Sequence, residues 1–291
     1  MGANLAKELD KAKAQNITEL DLKDKGIDEL PSNIGNLDQL KKLNLSKNNL
    51  RKLPTTIGNL RNLVSLSLFQ NSLKELPHEL TQLTNLEALN LSINKLPSLP
   101  RGFGSFNHLY FLDLSYNRLT ELTTQIGLIT TLKELHLSFN KLTELPAEIG
   151  KCLDLEIFNC SNNKIELLPP EIANCNKLRL VNIVNNKIVW IPPPFGKIEK
   201  LEKIDISLNP IDKVLQPHAM RGPDVLIKYI KSDEYDQTYY KETGKPRPST
   251  TTLSTSPPTT PPTTDEASAD HPPHKHEPEE TSTTSTAATS S

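Results

Sequence analysis

A 23-residue repeat runs through most of the chain. Its pattern is L-x-x-L-x-L-x-x-N-x-L-x-x-L-P-x-x-I-G-x-L, and it begins at nine evenly spaced residues: Ile17, Leu40, Leu63, Leu86, Leu109, Leu132, Leu155, Leu178 and Leu201. One copy is too short to bury its own leucines, so neighbouring copies must stack to make a continuous core. The repeat therefore predicts a stack of small units, where a length of 291 residues alone would suggest about two domains.

The two halves of each repeat predict different local structures. Leu43 and Leu45 alternate with polar neighbours, which is typical of a short strand with one buried face. The second half reads L-P-x-x-I-G, and its proline cannot donate to a sheet ladder, so we expect short helices or turns there. This spacing is that of a leucine-rich repeat. We therefore predict an α/β fold, a right-handed leucine-rich repeat solenoid with a curved parallel β-sheet on its concave face and short helices or turns on its convex side.

An asparagine follows the strand in eight of the repeats. The chain turns inward there and leaves backbone groups without sheet partners, which an amide can satisfy as both donor and acceptor. The first repeat has Lys25 instead, as expected of an atypical terminal copy. We expect a column of buried amides: Asn48, Asn71, Asn94, Asn117, Asn140, Asn163, Asn186 and Asn209.

The ends of the stack need covers. Leu5, Leu9 and Ala12 share one helical face, and Pro223 can begin a helix over about 223–241. Beyond Gly244 the composition changes to Thr, Pro and Ser with almost no large apolar residue, which predicts disorder. The predicted organisation is an N-terminal helical cap (1–16), a solenoid of about nine repeats (17–211), a C-terminal helical cap (212–243) and a disordered tail (244–291).

Composition excludes several function classes. Lys and Arg number 33 and Asp and Glu 35, so a net charge of -2 gives no electrostatic reason to expect a nucleic acid partner. We expect no integral membrane segment.

The cysteines Cys152, Cys160 and Cys175 are odd in number and lack C-x-x-C spacing, which favours buried thiols over a disulfide or a zinc site. We expect a cytoplasmic monomer without metal or cofactor.

Two short segments indicate which group of leucine-rich repeat proteins the chain resembles. With its repeats, the segment Leu99 to Ser105 (LPRGFGS) and the stretch Tyr229 to Tyr240 (YIKSDEYDQTYY), the chain resembles the intracellular leucine-rich repeat proteins of the Ras-associated group. The resemblance implies a non-catalytic protein-binding scaffold in Ras-linked signal transduction. The alternatives are a cell–matrix adhesion adaptor and a phosphatase-targeting subunit. The implied partner is a Ras-family GTPase, a signalling kinase or phosphatase, or a LIM-domain adaptor.

Strand alternation predicts which side chains face a partner. The third, fifth and seventh positions of each repeat should point to the concave face, and the eighth and tenth should lie along its rim. We predict a protein-binding surface there, formed by His136 and by apolar residues that interrupt otherwise small or polar positions such as Ser92, Ser138 and Ser161. The alternative is scattered surface aromatics. The apolar members are Phe69, Phe111, Tyr116, Phe139, Ile157, Leu180 and Val184.

The tenth position carries a cation in five successive repeats. Such a ladder could steer an acidic partner, or it could be an ordinary surface lysine position that Glu121 and Glu144 offset. We include Arg118, Lys141 and Lys164 in the predicted binding surface. The whole ladder is Lys95, Arg118, Lys141, Lys164 and Lys187.

Asp113 and His136 occupy the fifth position of adjacent repeats, with Ser115 and Ser138 nearby, which supplies the residue types of a hydrolase triad. An open sheet face, however, offers neither an oxyanion hole nor exclusion of water. We therefore expect a polar cross-strand contact between Asp113 and His136. A hydrolase is the alternative from a different class.

Overall fold

The structure is a computed structural model that describes residues 2–247. Nine short parallel strands form one sheet in chain order, as predicted for the solenoid. Each strand pairs with the next at an offset of 23 residues, so equivalent repeat positions lie side by side. The strands are β1 Glu19–Asp21, β2 Lys42–Asn44, β3 Ser65–Ser67, β4 Ala88–Asn90, β5 Phe111–Asp113, β6 Glu134–His136, β7 Ile157–Asn159, β8 Leu180–Asn182 and β9 Lys203–Asp205.

The register stacks the leucines of successive repeats into columns. Leu43 pairs with Leu66 and Leu112 with Leu135, and all four are buried. Each apolar side chain is covered by its equivalents in the neighbouring repeats, so packing energy is shared between adjacent units. The core is therefore continuous along the whole stack.

A short 3-10 helix follows each of the first eight strands. Most begin directly after a proline in extended conformation, such as Pro54 at φ -67° and ψ 149°, because proline lacks an N–H and its fixed φ suits a helix start. These segments form the convex side. They are Ser32–Asn36, Thr55–Asn59, His78–Gln82, Phe103–Ser105, Thr124–Leu128, Ala147–Lys151, Pro170–Asn174 and Pro193–Lys197.

The glycine of the I-G pair lets these helices pack closely. A Cβ placed on Gly127 would clash with the Glu148 carbonyl oxygen of the next repeat. A larger side chain there would push the two repeats apart. Glycine at position 127 therefore permits the close spacing of these two convex helices.

The asparagine column binds the repeats together. Asn117 Nδ2 donates to the carbonyls of Leu91 (2.9 Å) and Leu114 (3.0 Å), and its Oδ1 accepts from the Leu96 N–H at 3.1 Å. One amide thus satisfies backbone groups of two repeats, in a site where water cannot replace them. The expected burial is confirmed for Asn48, Asn71, Asn94, Asn117 and Asn186. Asn140, Asn163 and Asn209 are only half-buried, although they donate to the preceding repeat in the same way.

Helices cover both ends of the stack. At the N-terminus, α1 (Gly2–Ala14) buries Leu9 against the first repeat. At the C-terminus lie α2 (Gln216–Met220), α3 (Pro223–Ile230) and α4 (Asp233–Thr243). The prediction of one helix over about 223–241 is wrong, because the Ser232 hydroxyl accepts from the Tyr235 N–H at 3.2 Å and caps a new helix. Of the predicted tail, residues 248–291 lie outside the described residues.

The three cysteines are buried thiols in the core. Burial raises the pKa of Cys152 and Cys175 to about 12, and it raises that of Cys160 as well. Residues 2–247 contain no group of three potential metal-ligating side chains and no helix long and apolar enough to cross a membrane.

Candidate functional site

The residue at the eighth position of every repeat has a left-handed backbone. Its φ lies between 53° and 57° in all nine copies, because the chain must turn sharply there to bring the following residue inward. Asn and Asp tolerate this conformation, whereas bulky and β-branched residues adopt it rarely and at a cost. The nine residues are Asp24, Lys47, Gln70, Ile93, Tyr116, Phe139, Asn162, Asn185 and Leu208.

Three successive eighth positions carry large apolar side chains, and we call Ile93, Tyr116 and Phe139 the rim row. Their exposed fractions are 39%, 48% and 41%. The rings of Tyr116 and Phe139 stack at 4.2 Å with an interplanar angle of 11°. The row ends at Gln70 on one side and at Asn162 on the other. The rim row is therefore a compact apolar patch held on an unfavourable backbone.

The cations of the tenth position follow the rim row along the same edge of the sheet, and all are exposed. Lys187 pairs with Glu166 at 3.2 Å, and Lys95 donates to the Ser72 hydroxyl at 3.2 Å. Arg118, Lys141 and Lys164 form no ion pair with any residue in the range 2–247. These three cations leave positive charge beside the rim row.

The concave face holds a second group of predicted site residues. Phe111, Ile157 and Leu180 occupy the first position of β5, β7 and β8, and His136 ends β6. The Phe111 ring lies 5.7 Å from the His136 ring. His136, Ile157 and Leu180 line a depression of about 230 Å³ that reaches Lys203. Around His136, the concave face is therefore a shallow depression lined by both polar and apolar residues.

The seventh position differs from the prediction. Ser92, Ser138 and Ser161 are buried, with exposed fractions of 4%, 6% and 5%, whereas we expected them on the open concave face. Small side chains fit between neighbouring repeats at this point, and Ser92 Oγ donates to Asn90 Oδ1 at 2.6 Å. The larger Phe69 and Val184 reach the surface at this position, and both are half-buried. They contribute less surface than the rim row does.

The expected contact between Asp113 and His136 does not form, although the two residues are paired in register. Asp113 Oδ1 instead accepts from the Ser115 N–H at 2.9 Å, and His136 Nε2 lies 3.4 Å from Glu134 Oε2. The buried Ser138 hydroxyl has no hydrogen-bond partner within the described part of the chain. Within the described residues, neither the Ser115 nor the Ser138 hydroxyl is therefore hydrogen-bonded to His136.

Sequence reasoning missed Ile93 and the backbone conformation of the whole rim row. The predicted surface combined apolar residues of the third, seventh and eighth positions, and it left out Ile93 although Tyr116 and Phe139 of the same column were included. Comparing the eighth position across all repeats would have found it, since Ile93, Tyr116 and Phe139 are consecutive in that column.

Known proteins support the fold. The family description "Leucine-rich repeat region" matches residues 16–98, and "Leucine Rich repeats (2 copies)" matches residues 130–174. A search of curated proteins gives no match. Among solved structures, a leucine-rich repeat protein of Leptospira interrogans is 33% identical with a TM-score of 0.70, and the alignment covers 73% of this chain and 54% of that one.

Two further structures are similar over a comparable part of the chain. One is the ectodomain of the Arabidopsis thaliana receptor kinase GASSHO1/SCHENGEN3, solved in complex with Casparian strip integrity factor 2. It is 32% identical to this chain with a TM-score of 0.62, and the alignment covers 67% of this chain and 24% of that one. The functional domain of InlJ from Listeria monocytogenes is 28% identical with a TM-score of 0.52, covering 69% and 47%. The chain spans about half or less of the length of these proteins.

Proposed function

We propose that this leucine-rich repeat chain is a non-catalytic scaffold that holds a signalling protein against the rim and concave face of its sheet. One observation carries the proposal: Tyr116 and Phe139 are stacked, nearly half exposed, and held on a backbone that disfavours both. Conformational strain persists mainly where function needs the residue. Exposed aromatic clusters are also the commonest anchors of protein interfaces.

The comparisons support binding as a role for such a surface. The Arabidopsis ectodomain was solved with Casparian strip integrity factor 2 bound, so a chain with similar repeats holds a ligand. In the present chain, the residues available for contact are the rim row, the three unpaired cations and the concave group of Phe111, His136, Ile157 and Leu180. They lie on one edge and the adjoining face of the sheet.

The proposal also specifies a signalling pathway. We place the protein in the cytoplasm, in Ras-linked signal transduction, because LPRGFGS and YIKSDEYDQTYY resemble segments of the Ras suppressor protein. The first segment forms the shortened convex helix Phe103–Ser105 after Gly102, whose φ is 81°. The second lies in α3 and α4. A Ras-family GTPase, a signalling kinase or phosphatase, and a LIM-domain adaptor are the partner classes to test.

The test compares capture of proteins from cell lysate by the wild-type chain and by Tyr116→Asn with Phe139→Asn. Asparagine suits the left-handed backbone, so the double variant should keep its melting temperature. A matched control removes exposed apolar side chains from the convex side, Leu128→Asn with Leu153→Asn, which are 62% and 55% exposed. We expect capture to be lost only in the rim variant. Equal capture by all three proteins would contradict the proposed site.

A further inference from the structure

We infer that the rim row binds an acidic amphipathic α-helix of the partner, laid across the strands along the edge of the sheet. The inference rests on the proposed function and specifies the chemistry and shape of the bound segment. It follows from three properties of the rim row: its period, the pairing of most of its backbone groups and the charge beside it.

The period of the rim row matches a helix. Adjacent strands are about 4.8 Å apart, so the row from Ile93 to Phe139 spans about 9.6 Å. A helix rises 1.5 Å per residue, and its residues i and i+7 on one face are about 10.5 Å apart, with i+3 or i+4 between them. An extended chain places same-face side chains about 6.6 Å apart, so beyond its first side chain its positions no longer match the spacing of the rim row. Three apolar side chains of a helix can therefore each meet one member of the row.

Most backbone groups of the rim row are already hydrogen-bonded. The N–H groups of Ile93, Tyr116 and Phe139 donate to the Ser115, Ser138 and Ser161 carbonyls at 2.8–3.0 Å. The carbonyls of Ile93 and Tyr116 accept from the N–H groups of Asn71 and Asn94. An extended partner would therefore find no ladder of free groups to pair with, whereas an α-helix satisfies its backbone groups internally.

The charge beside the row calls for an acidic flank on the partner. Arg118 and Lys141 follow Tyr116 and Phe139 by two residues, and Lys164 follows Asn162 at the end of the row in the same way. The described residues supply no carboxylate within ion-pair distance of these three cations. Glutamate or aspartate on one side of the apolar stripe would meet these cations. Such rim charges chiefly accelerate association and fix orientation.

The ends of the site limit the length of the helix. Gln70 precedes the rim row in the same column, and Asn162 follows it, hydrogen-bonded to Asn185 at 2.8 Å. The apolar stripe is thus three strands wide, which corresponds to about two helical turns of contact. The flanking amides favour polar residues at both ends of that stripe.

A phage-displayed library of random 16-residue peptides, selected on the full-length chain, tests the inference. We expect enriched peptides with large apolar residues at i, i+3 or i+4, and i+7, and with Asp or Glu along one flank. Synthetic copies should gain helical circular dichroism on binding. Tyr116→Asn with Phe139→Asn should weaken their binding at least about thirtyfold, and the convex variant Leu128→Asn with Leu153→Asn should leave it unchanged. Arg118→Glu with Lys141→Glu should weaken binding more at low salt than at high salt.

Enrichment of alternating, extended peptides, or of peptides indifferent to the rim variant, would overturn the helix inference. The lysate experiment separates this failure from that of the proposed function. If lysate capture depends on the rim while selected peptides are extended, the scaffold proposal stands and the helix does not. If neither capture nor any selected peptide depends on the rim, both fail.

Discussion

The Asn117→Ala substitution should cost about 2–4 kcal/mol of unfolding free energy. Asn117 is 8% exposed, and its amide makes four hydrogen bonds to backbone groups of two repeats. Alanine would leave the Leu96 N–H without an acceptor, a loss worth about 1–3 kcal/mol, and the Leu91 and Leu114 carbonyls would each lose one donor at a smaller cost. The damage should fall on the junction between repeats, since that is where the amide acts.

Urea unfolding followed by circular dichroism measures this effect. Asn162→Gly is the matched control, because Asn162 precedes a column asparagine by one position and has a φ of 56° that glycine adopts freely. We expect the control to change stability by less than about 0.5 kcal/mol. Equal urea midpoints for Asn117→Ala and Asn162→Gly would refute the assignment of the amide column as the bond between repeats.

Three further outcomes follow from local chemistry. Leu208→Asn should raise the free energy of unfolding in urea by about 0.5–1 kcal/mol, because Leu208 is 75% exposed on a left-handed backbone that asparagine tolerates better. A lower urea midpoint would count against strain there. Tyr235→Phe should cost about 1 kcal/mol in thermal unfolding, because the Tyr235 hydroxyl donates to the buried Ile191 carbonyl, and an unchanged transition would deny that bond a role. Burial raises the pKa of Cys152 and Cys175 to about 12. In the unfolded chain these thiols ionise above about pH 8.5, so unfolding releases their protons there. The free energy of unfolding should therefore fall by about 1.4 kcal/mol per pH unit for each thiol. Replacing both cysteines with alanine should remove that part of the slope between pH 9 and 10, and an unchanged slope would show that these thiols are not the cause.

The solenoid could be predicted from spacing because each repeat can bury its leucines in only one way. Leu43 and Leu66 share a column position in the sequence, and stacking at that offset is the arrangement that covers both. The amides of the column follow from the same register. Features that depend on local backbone geometry could not be predicted in this way. The helix break at Ser232 arises from a side-chain cap that competes with a continuous helix through the same apolar stripe.

The site could be predicted only in part for the same reason. Alternation correctly separates Leu112 in the core from Phe111 on the face. It does not show that the chain turns inward after position six, which buries Ser138 and places Phe139 on a left-handed backbone. The partner of His136 was also beyond prediction, because Glu134 of the same strand reaches it and Asp113 is held by a backbone N–H.

Site-specific photo-crosslinking tests the central claim, protein binding at the rim, most directly. A benzoylphenylalanine at position 162 would extend the rim row by one repeat, and Phe139 shows that an aromatic side chain fits the left-handed backbone there. The same probe at position 153 samples the convex side, where Leu153 is 55% exposed. We predict protein adducts in cells from position 162 and none from position 153, and loss of the first when Tyr116 and Phe139 are replaced by asparagine. Adducts from position 153 alone, or adducts from position 162 that survive the rim substitutions, would contradict the account.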